Sequence, residues 1–197
     1  MTKTIPLLLL VLLLILSCSQ RKNKSDDIQF RIDKSLLGEF FKDSATQITI
    51  QIPIGWVAIQ KKEDSISRKL KTALSAVSSQ IKVKELYYDT VSNEASLSIL
   101  DVSGWSEVDL RRIHTNPDSV FNAAKKWQSV NKAEFIYRGI PFYQYILFNE
   151  NYVNIKLITT GTTSDSSKIE FDFILTQKEY KKNAKKIESS IGSIGGI

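Results

Sequence analysis

Thiols and imidazoles are nearly missing from this chain. Its 197 residues include one cysteine, Cys18, and one histidine, His114. A single cysteine excludes an internal disulfide and a thiolate metal cluster. A single histidine excludes a metal site built on two imidazoles and leaves one histidine base for nucleophilic catalysis. Glycine is sparse too, with 8 residues, and there is no Gly-rich phosphate loop. Ser103-Gly104-Trp105-Ser106 is not a nucleophile elbow. Aspartate and glutamate are scattered, and the adjacent Asp26-Asp27 falls in a polar stretch near the start. These absences read as a chain without metal, without cofactor and without catalysis. A hydrolase built on Ser/Lys or on paired carboxylates stays open as the third-ranked reading.

What is present is apolar material and a modest excess of cations. The chain is 42% hydrophobic and 24% charged, enough for a core in one domain. The formal charge of +6 is spread along the chain, and no nucleic-acid-binding motif accompanies it, so no nucleic-acid partner is expected.

The apolar residues are densest at the start. Lys3 precedes an apolar run over residues 5–16, too short for a membrane span of about 20 residues and suited to the core of a secretory signal peptide. The run ends in Leu14-Ile15-Leu16-Ser17-Cys18, which resembles a bacterial lipobox. Leu16 departs from it, since a small residue is usual there. The resemblance implies cleavage before Cys18, acylation of Cys18 with chains such as palmitate, and a membrane anchor in the cell envelope. Removing residues 1–17 takes away only Lys3, leaving 6 − 1 = +5. Residue 19 is serine. Aspartate there generally holds bacterial lipoproteins in the inner membrane, so serine favours the outer membrane. Residues 19–27 contain no apolar side chain and read as a flexible tether. Ser25-Asp26-Asp27 faintly resembles an acidic surface-export signal, which leaves the periplasmic face and the cell surface both open. The expected organisation is a signal peptide at 1–17, lipidated cysteine and tether at 18–34, and one α+β domain at 35–197.

Within the domain, alternation marks strands. Residues 28–41 are open between strand and helix: Phe30 and Ile32 suit a strand, and Leu36, Leu37, Phe40 and Phe41 suit a helical turn. Ile48, Ile50 and Ile52 alternate with Thr49 and Gln51. Pro53-Ile54-Gly55 then turns the chain, and 56–60 returns as a second strand, with Trp56 expected to be buried. Residues 64–82 carry a helical stripe of Ile66, Leu70, Leu74, Val77 and Ile81. Strands are predicted at 86–89 and 95–102. Asn116-Pro117 opens a helix with a stripe of Val120, Phe121, Ala124 and Trp127. Residues 133–175 read as an antiparallel meander. Its middle strand, 142–148, is apolar on both faces. The flanking runs place Asn154, Lys156, Lys168, Glu170 and Asp172 on a wetter face. Thr176 and Glu179 form a capping box for a last helix with Tyr180, Ala184, Ile187 and Ile191 inward. That helix is expected to fray toward Gly192, Gly195 and Gly196. Lys178, Lys181, Lys182, Lys185 and Lys186 lie opposite the apolar stripe, mainly as a solvated face and secondarily as an attraction for an anionic surface.

This order gives an α+β fold, mostly antiparallel β-sheet with helices packed on its faces. The stretch Ile48 to Trp56, with Pro53-Ile54-Gly55-Trp56 as its sharpest feature, is similar to the opening of photosystem II PsbP-like proteins and their Mog-type relatives. The later helix, strands and last helix follow the same order. The resemblance spans residues 47–191 and implies an α/β/α sandwich. It carries over no ligand residue and no photosynthetic role.

The segment 101–116 is long for a connection in a compact domain. It gathers Trp105, Arg111, Arg112 and His114 as candidate binding residues. Two arginines can grip a carboxylate or phosphate, and a tryptophan can stack on a ring. The plainer and weightier reading is a short capped helix at 106–113, with Trp105 and Ile113 packed on the sheet and the arginines in water. The leading expectation is a lipid-anchored, non-enzymatic binding or assembly module with an unidentified envelope protein as partner. The alternative is a small-ligand carrier that uses the meander and the 101–116 segment.

Overall fold

The computed structural model describes residues 29–59, 81–115, 127–162 and 167–197. The expected signal peptide, Cys18, most of the tether, the helix predicted from residue 64 and the helix predicted from Asn116 lie outside them.

The described chain opens extended, makes one 3-10 turn at Lys34–Leu36 and enters strand β1, Leu37–Asp43. Of the segment left open between strand and helix, Phe30 and Ile32 precede any element, Leu36 ends the 3-10 turn, and Leu37, Phe40 and Phe41 lie in the strand. That strand turns Leu37 inward and leaves Phe40 59% exposed. Strand β2, Ile48–Pro53, buries Ile48, Ile50 and Ile52 completely, as their alternation predicts.

The next step corrects the sequence reading. Strand β3, Trp56–Ala58, does not pair back onto β2. It pairs with β4, Lys82–Asp89, in a different sheet. Gly55, at a φ of 83°, supplies the left-handed turn that redirects the chain. Trp56 then buries its ring against Phe173, with ring centroids 6.2 Å apart. The predicted helix also ends too late. Ile81 precedes β4, and Lys82 pairs with Asp101, because a full ladder with the next strand outweighs the helical period.

Strand β5, Ala95–Asp101, leads to helix α1, Glu107–Thr115. A four-strand meander follows: β6 Ser129–Tyr137, β7 Ile140–Phe148, β8 Tyr152–Thr160 and β9 Lys168–Thr176. Helix α2, Gln177–Gly192, and the two-residue strand β10, Gly195–Gly196, complete the chain. Among the described residues the large sheet runs β3-β4-β5-β9-β8-β7-β6 and the small one β1-β2-β10, with all pairings antiparallel.

The large sheet buries both faces. On the first, Leu97, Ile99, Phe142, Ile155, Leu157, Phe171 and Phe173 meet Ile48, Ile50 and Ile52 of β2 and Ile187 and Ile191 of α2. On the second, Leu100, Tyr145, Leu147 and Ile158 meet Leu110 and Ile113 of α1. Helices on both faces make the expected α+β sandwich. The two-sided reading of β7 follows: Phe142 belongs to the first core and Tyr145 to the second.

The chain end does not fray. Ile194 is 1% exposed, and β10 pairs with β2 at Thr49 and Ile48. Residues 29–34, assigned to the tether by composition, are held in place. The Phe30 ring meets Tyr137 edge-on at 4.9 Å, and the Asp33 amide donates to Ser189 Oγ at 3.0 Å.

Candidate binding face

Two features of the second sheet face carry chemistry: the helix that closes one end of it, and a charged floor along β8 and β9.

The helix is built from a loop that ties itself down. Asp101 accepts from the Ser103 amide at 3.0 Å, and the Lys168 amide donates to Ser103 Oγ at 3.0 Å. Burial would raise the Asp101 pKa, but the bonds from Ser103 and the charges of Lys84 and Lys82 outweigh it and hold the carboxyl low. Ser106 and Asp109 then cap α1 reciprocally. The Ser106 amide donates to Asp109 Oδ2 at 2.8 Å, and the Asp109 amide donates to Ser106 Oγ at 3.1 Å. The cap turns Leu110 and Ile113 into the second core.

This geometry separates the sequence candidates. Trp105 is half-buried and packs against the second core beside Leu110 and Ile113. Arg111 and Arg112 are exposed. Tryptophan and arginines therefore face different surroundings. The backbone of His114 continues α1, and its side chain lies outside the described residues.

The floor was not legible as a site. Alternation assigned Asn154, Lys156, Glu170 and Asp172 to a wetter face, and the structure corrects this. Their cores are covered: the side chains of Lys156, Glu170 and Asp172 are 17%, 2% and 5% exposed. Lys156 lies opposite Asp172 in the β8–β9 register, and Glu170 lies opposite Ile158. The Lys156 ammonium donates to Glu170 Oε1 and to Asp172 Oδ2, each at 2.7 Å. Asn154 Nδ2 donates to Asp172 Oδ1 and to the Phe173 carbonyl. Burial pulls the Lys156 pKa down, but Asp172 and Glu170 together overcome it, so the amine stays firmly protonated. Glu170 is pushed up, first by burial and then by the Asp172 charge, against the pull of Lys156. An ammonium held in this way is neither a nucleophile nor a base. The arrangement fastens two strands and sets their register. The available signal was complementary charge on adjacent strands, Lys156 against Glu170 and Asp172, rather than any motif.

Trp56 is buried as expected, and its indole N–H finds no partner among the described residues. Among them, no group of three or more His, Cys, Asp or Glu side chains is placed to hold a metal ion.

No protein-family model matches the sequence, and no curated protein does. Solved structures do. The solution structure of cyanobacterial PsbP from Synechocystis sp. PCC 6803 overlays with a TM-score of 0.53 at 15% identity, over 82% of this chain and 94% of that one. A crystal structure from Bacteroides thetaiotaomicron overlays at 0.43 and 12% identity, over 82% of this chain and 49% of the other. The Saccharomyces cerevisiae Ran-binding protein Mog1p overlays at 0.46 and 8% identity, over 81% and 96%. Together with the two helix-covered faces, the first overlay establishes the fold of this chain as the PsbP-like α/β/α sandwich.

Proposed function

We propose that this chain is a lipid-anchored cell-envelope protein whose PsbP-like domain binds or assembles with a protein partner and carries out no catalysis. The observation that carries the reading is the order at the start of the chain: Lys3, an apolar run, Ser17-Cys18, then a polar stretch. Acyl chains on Cys18 would supply the anchor without a spanning helix. No helix among the described residues is long and apolar enough to cross a membrane. Serine at position 19 favours the outer membrane, at its periplasmic face or at the cell surface.

The non-catalytic part rests on the floor of the second face. Lys156, Glu170 and Asp172 are spent on one another, with Lys156 locked between the two carboxylates. The overlaid cyanobacterial protein is described as a PsbP, and the fold alone is what the two share.

The test is metabolic labelling with a clickable palmitate in a bacterium that makes the full chain. The parent is expected to be labelled and shortened at its amino end. Cys18→Ala is expected to lose the label and keep residues 1–17. A Cys18→Ala chain that is still shortened and still sediments with membranes would overturn the anchor.

A further inference from the structure

The inner side of α2 buries Ile187 and Ile191 in the first core. Ser189 and Gly192, on the outer side of the same helix, are buried as well. The cause is the segment 30–33, which crosses the helix there. Ser189 Oγ accepts from the Asp33 amide, and a Cβ on Gly192 would sit 2.6 Å from Phe30 Cβ and 2.8 Å from Ile32 Cγ1. At about 100° per residue, Lys178, Lys181 and Lys185 fall on that same outer side, and all three are exposed. Lys185 is near enough to Asp33 to help lower its carboxyl pKa, after the hydrogen bonds from Ser35. The chain entering from the amino end and the lysine stripe therefore share one side of one helix. The other two lysines of the stripe are engaged: Lys182 with Glu179 at 2.7 Å, and Lys186 with the Ile54 carbonyl at 3.3 Å.

We propose that this outer face of α2, with the segment that crosses it, docks on the anionic surface of a bilayer. The inference rests on the lipid-anchor reading and specifies how the anchored domain lies. From Cys18 to Gln29 the chain can span at most about 40 Å, and it arrives on this face, so an acylated Cys18 keeps the lysines close to the headgroups. The exposed Arg31 and Lys34 add to Lys178, Lys181 and Lys185, and among the described residues Asp33 and Glu188 lie beside them with opposite charge. The apolar contacts of Phe30 keep the segment flat, so the cations are presented as a surface and not on a loose arm.

The experiment uses the full chain after maturation, mixed with phosphatidylcholine vesicles that do or do not contain phosphatidylglycerol. Flotation reads attachment. A water-soluble amine-acylating reagent, read lysine by lysine in a mass spectrometer, gives the orientation. On phosphatidylglycerol vesicles at low salt, Lys178, Lys181 and Lys185 should react roughly fivefold more slowly than on phosphatidylcholine, with Lys82 on β4 as the reference. The protection should vanish as salt approaches about 1 M and the screening length falls to about 3 Å. In the triple variant Lys178→Gln/Lys181→Gln/Lys185→Gln, Lys34 should lose the protection it has in the parent. Attachment to both vesicle types with equal lysine reactivity overturns the docking, leaves the anchor standing and points to an acidic protein as the occupant. Attachment to phosphatidylglycerol vesicles alone, lost in the triple variant, supports the docking and overturns the anchor. Attachment to neither overturns both.

Discussion

The two faces of the large sheet are built from the same strands by different means. In β9, Ile169, Phe171, Phe173 and Leu175 enter a dry core, while Lys168, Glu170 and Asp172 point the other way and are also buried. The first face is held by area removed from water, which is non-directional. The second is held in part by Lys156 placed 2.7 Å from each of two carboxylates, which is directional and tolerates no vacancy. Alternation along a strand therefore reports which face a side chain takes. It does not report whether that face meets water.

The largest effects should separate the two mechanisms. Phe171 is 0% exposed, and Phe171→Ala is expected to lose about 3–5 kcal/mol in urea unfolding. Lys156→Met nearly keeps the volume, yet it should lose a similar amount, about 3–5 kcal/mol, because two carboxylates are left facing each other. The pH response tells them apart. In Lys156→Met the Glu170 carboxyl, already raised by burial, loses the ammonium that pulls it down, so stability is fullest below the ordinary carboxylate range and falls as pH rises through the raised value. Its deficit should shrink near pH 4 to 5, by order of magnitude the range in which such acids take up protons, while that of Phe171→Ala should not. Replacing the whole group in Lys156→Met/Glu170→Leu/Asp172→Leu should restore stability to the parent level or exceed it by about 1–4 kcal/mol. A triple variant as weak as the single one would show that the charges do more than fasten strands.

A smaller effect compares one tyrosine from each face. Burial, then the charges of Glu85 and Glu39, push Tyr87 in the first core up to about 12. Tyr145 in the second core is also raised, by burial and then by Tyr143, Glu134 and Glu170. A raised folded pKa gives stability that is complete below the unfolded value and lost as pH climbs through the folded one. Tm should therefore fall between about pH 10 and about pH 12. Tyr87→Phe and Tyr145→Phe should each flatten part of that fall. Lys156, also raised, adds to the loss in the same direction in both variants, so neither substitution alone should abolish the fall. A variant that keeps the whole fall would show that its tyrosine is not held protonated by the fold.

Local signals proved readable where one residue decides one geometry. Ile48, Ile50 and Ile52 give β2, and Thr176 caps α2 by accepting from the Glu179 amide at 3.3 Å. Only half of the expected capping box forms. The Glu179 carboxylate turns to Lys182 and Asn183, and the Thr176 amide donates to the Glu94 carbonyl instead. What stayed hidden is non-local. Nothing in Trp56–Ala58 says that its partner lies at 82–89 rather than in the preceding strand. The glycines after α2 look like an ending until β2 is there to pair with them. The charged floor joins residues 14 and 16 positions apart, and it becomes visible only once the β8–β9 register is known. In the 101–116 segment, the Ser106-to-Asp109 spacing signals the helix, but the inward turn of Trp105 depends on the core beneath it.

The smallest effect tests that last separation. Trp105, Arg111, Arg112 and His114 would act as one site only if they faced a common ligand. Trp105 instead packs against the second core, and the two arginines stand at the surface. Arg112 is close enough to Asp109 to help lower that carboxyl, after the stronger effect of the Ser106 hydrogen bonds. Exposed ion pairs are worth little, so Arg111→Gln/Arg112→Gln should change stability by about 1 kcal/mol or less. Trp105→Ala should cost more than the arginine pair, because it removes an aromatic ring from the cover of Leu110 and Ile113. The measurement is urea unfolding of the two variants beside the parent. If the arginine variant proves the weaker of the two, the arginines fasten α1 to the second face. The helix would then be held as the charged floor is, by directional contacts, and not as the first core is, by burial.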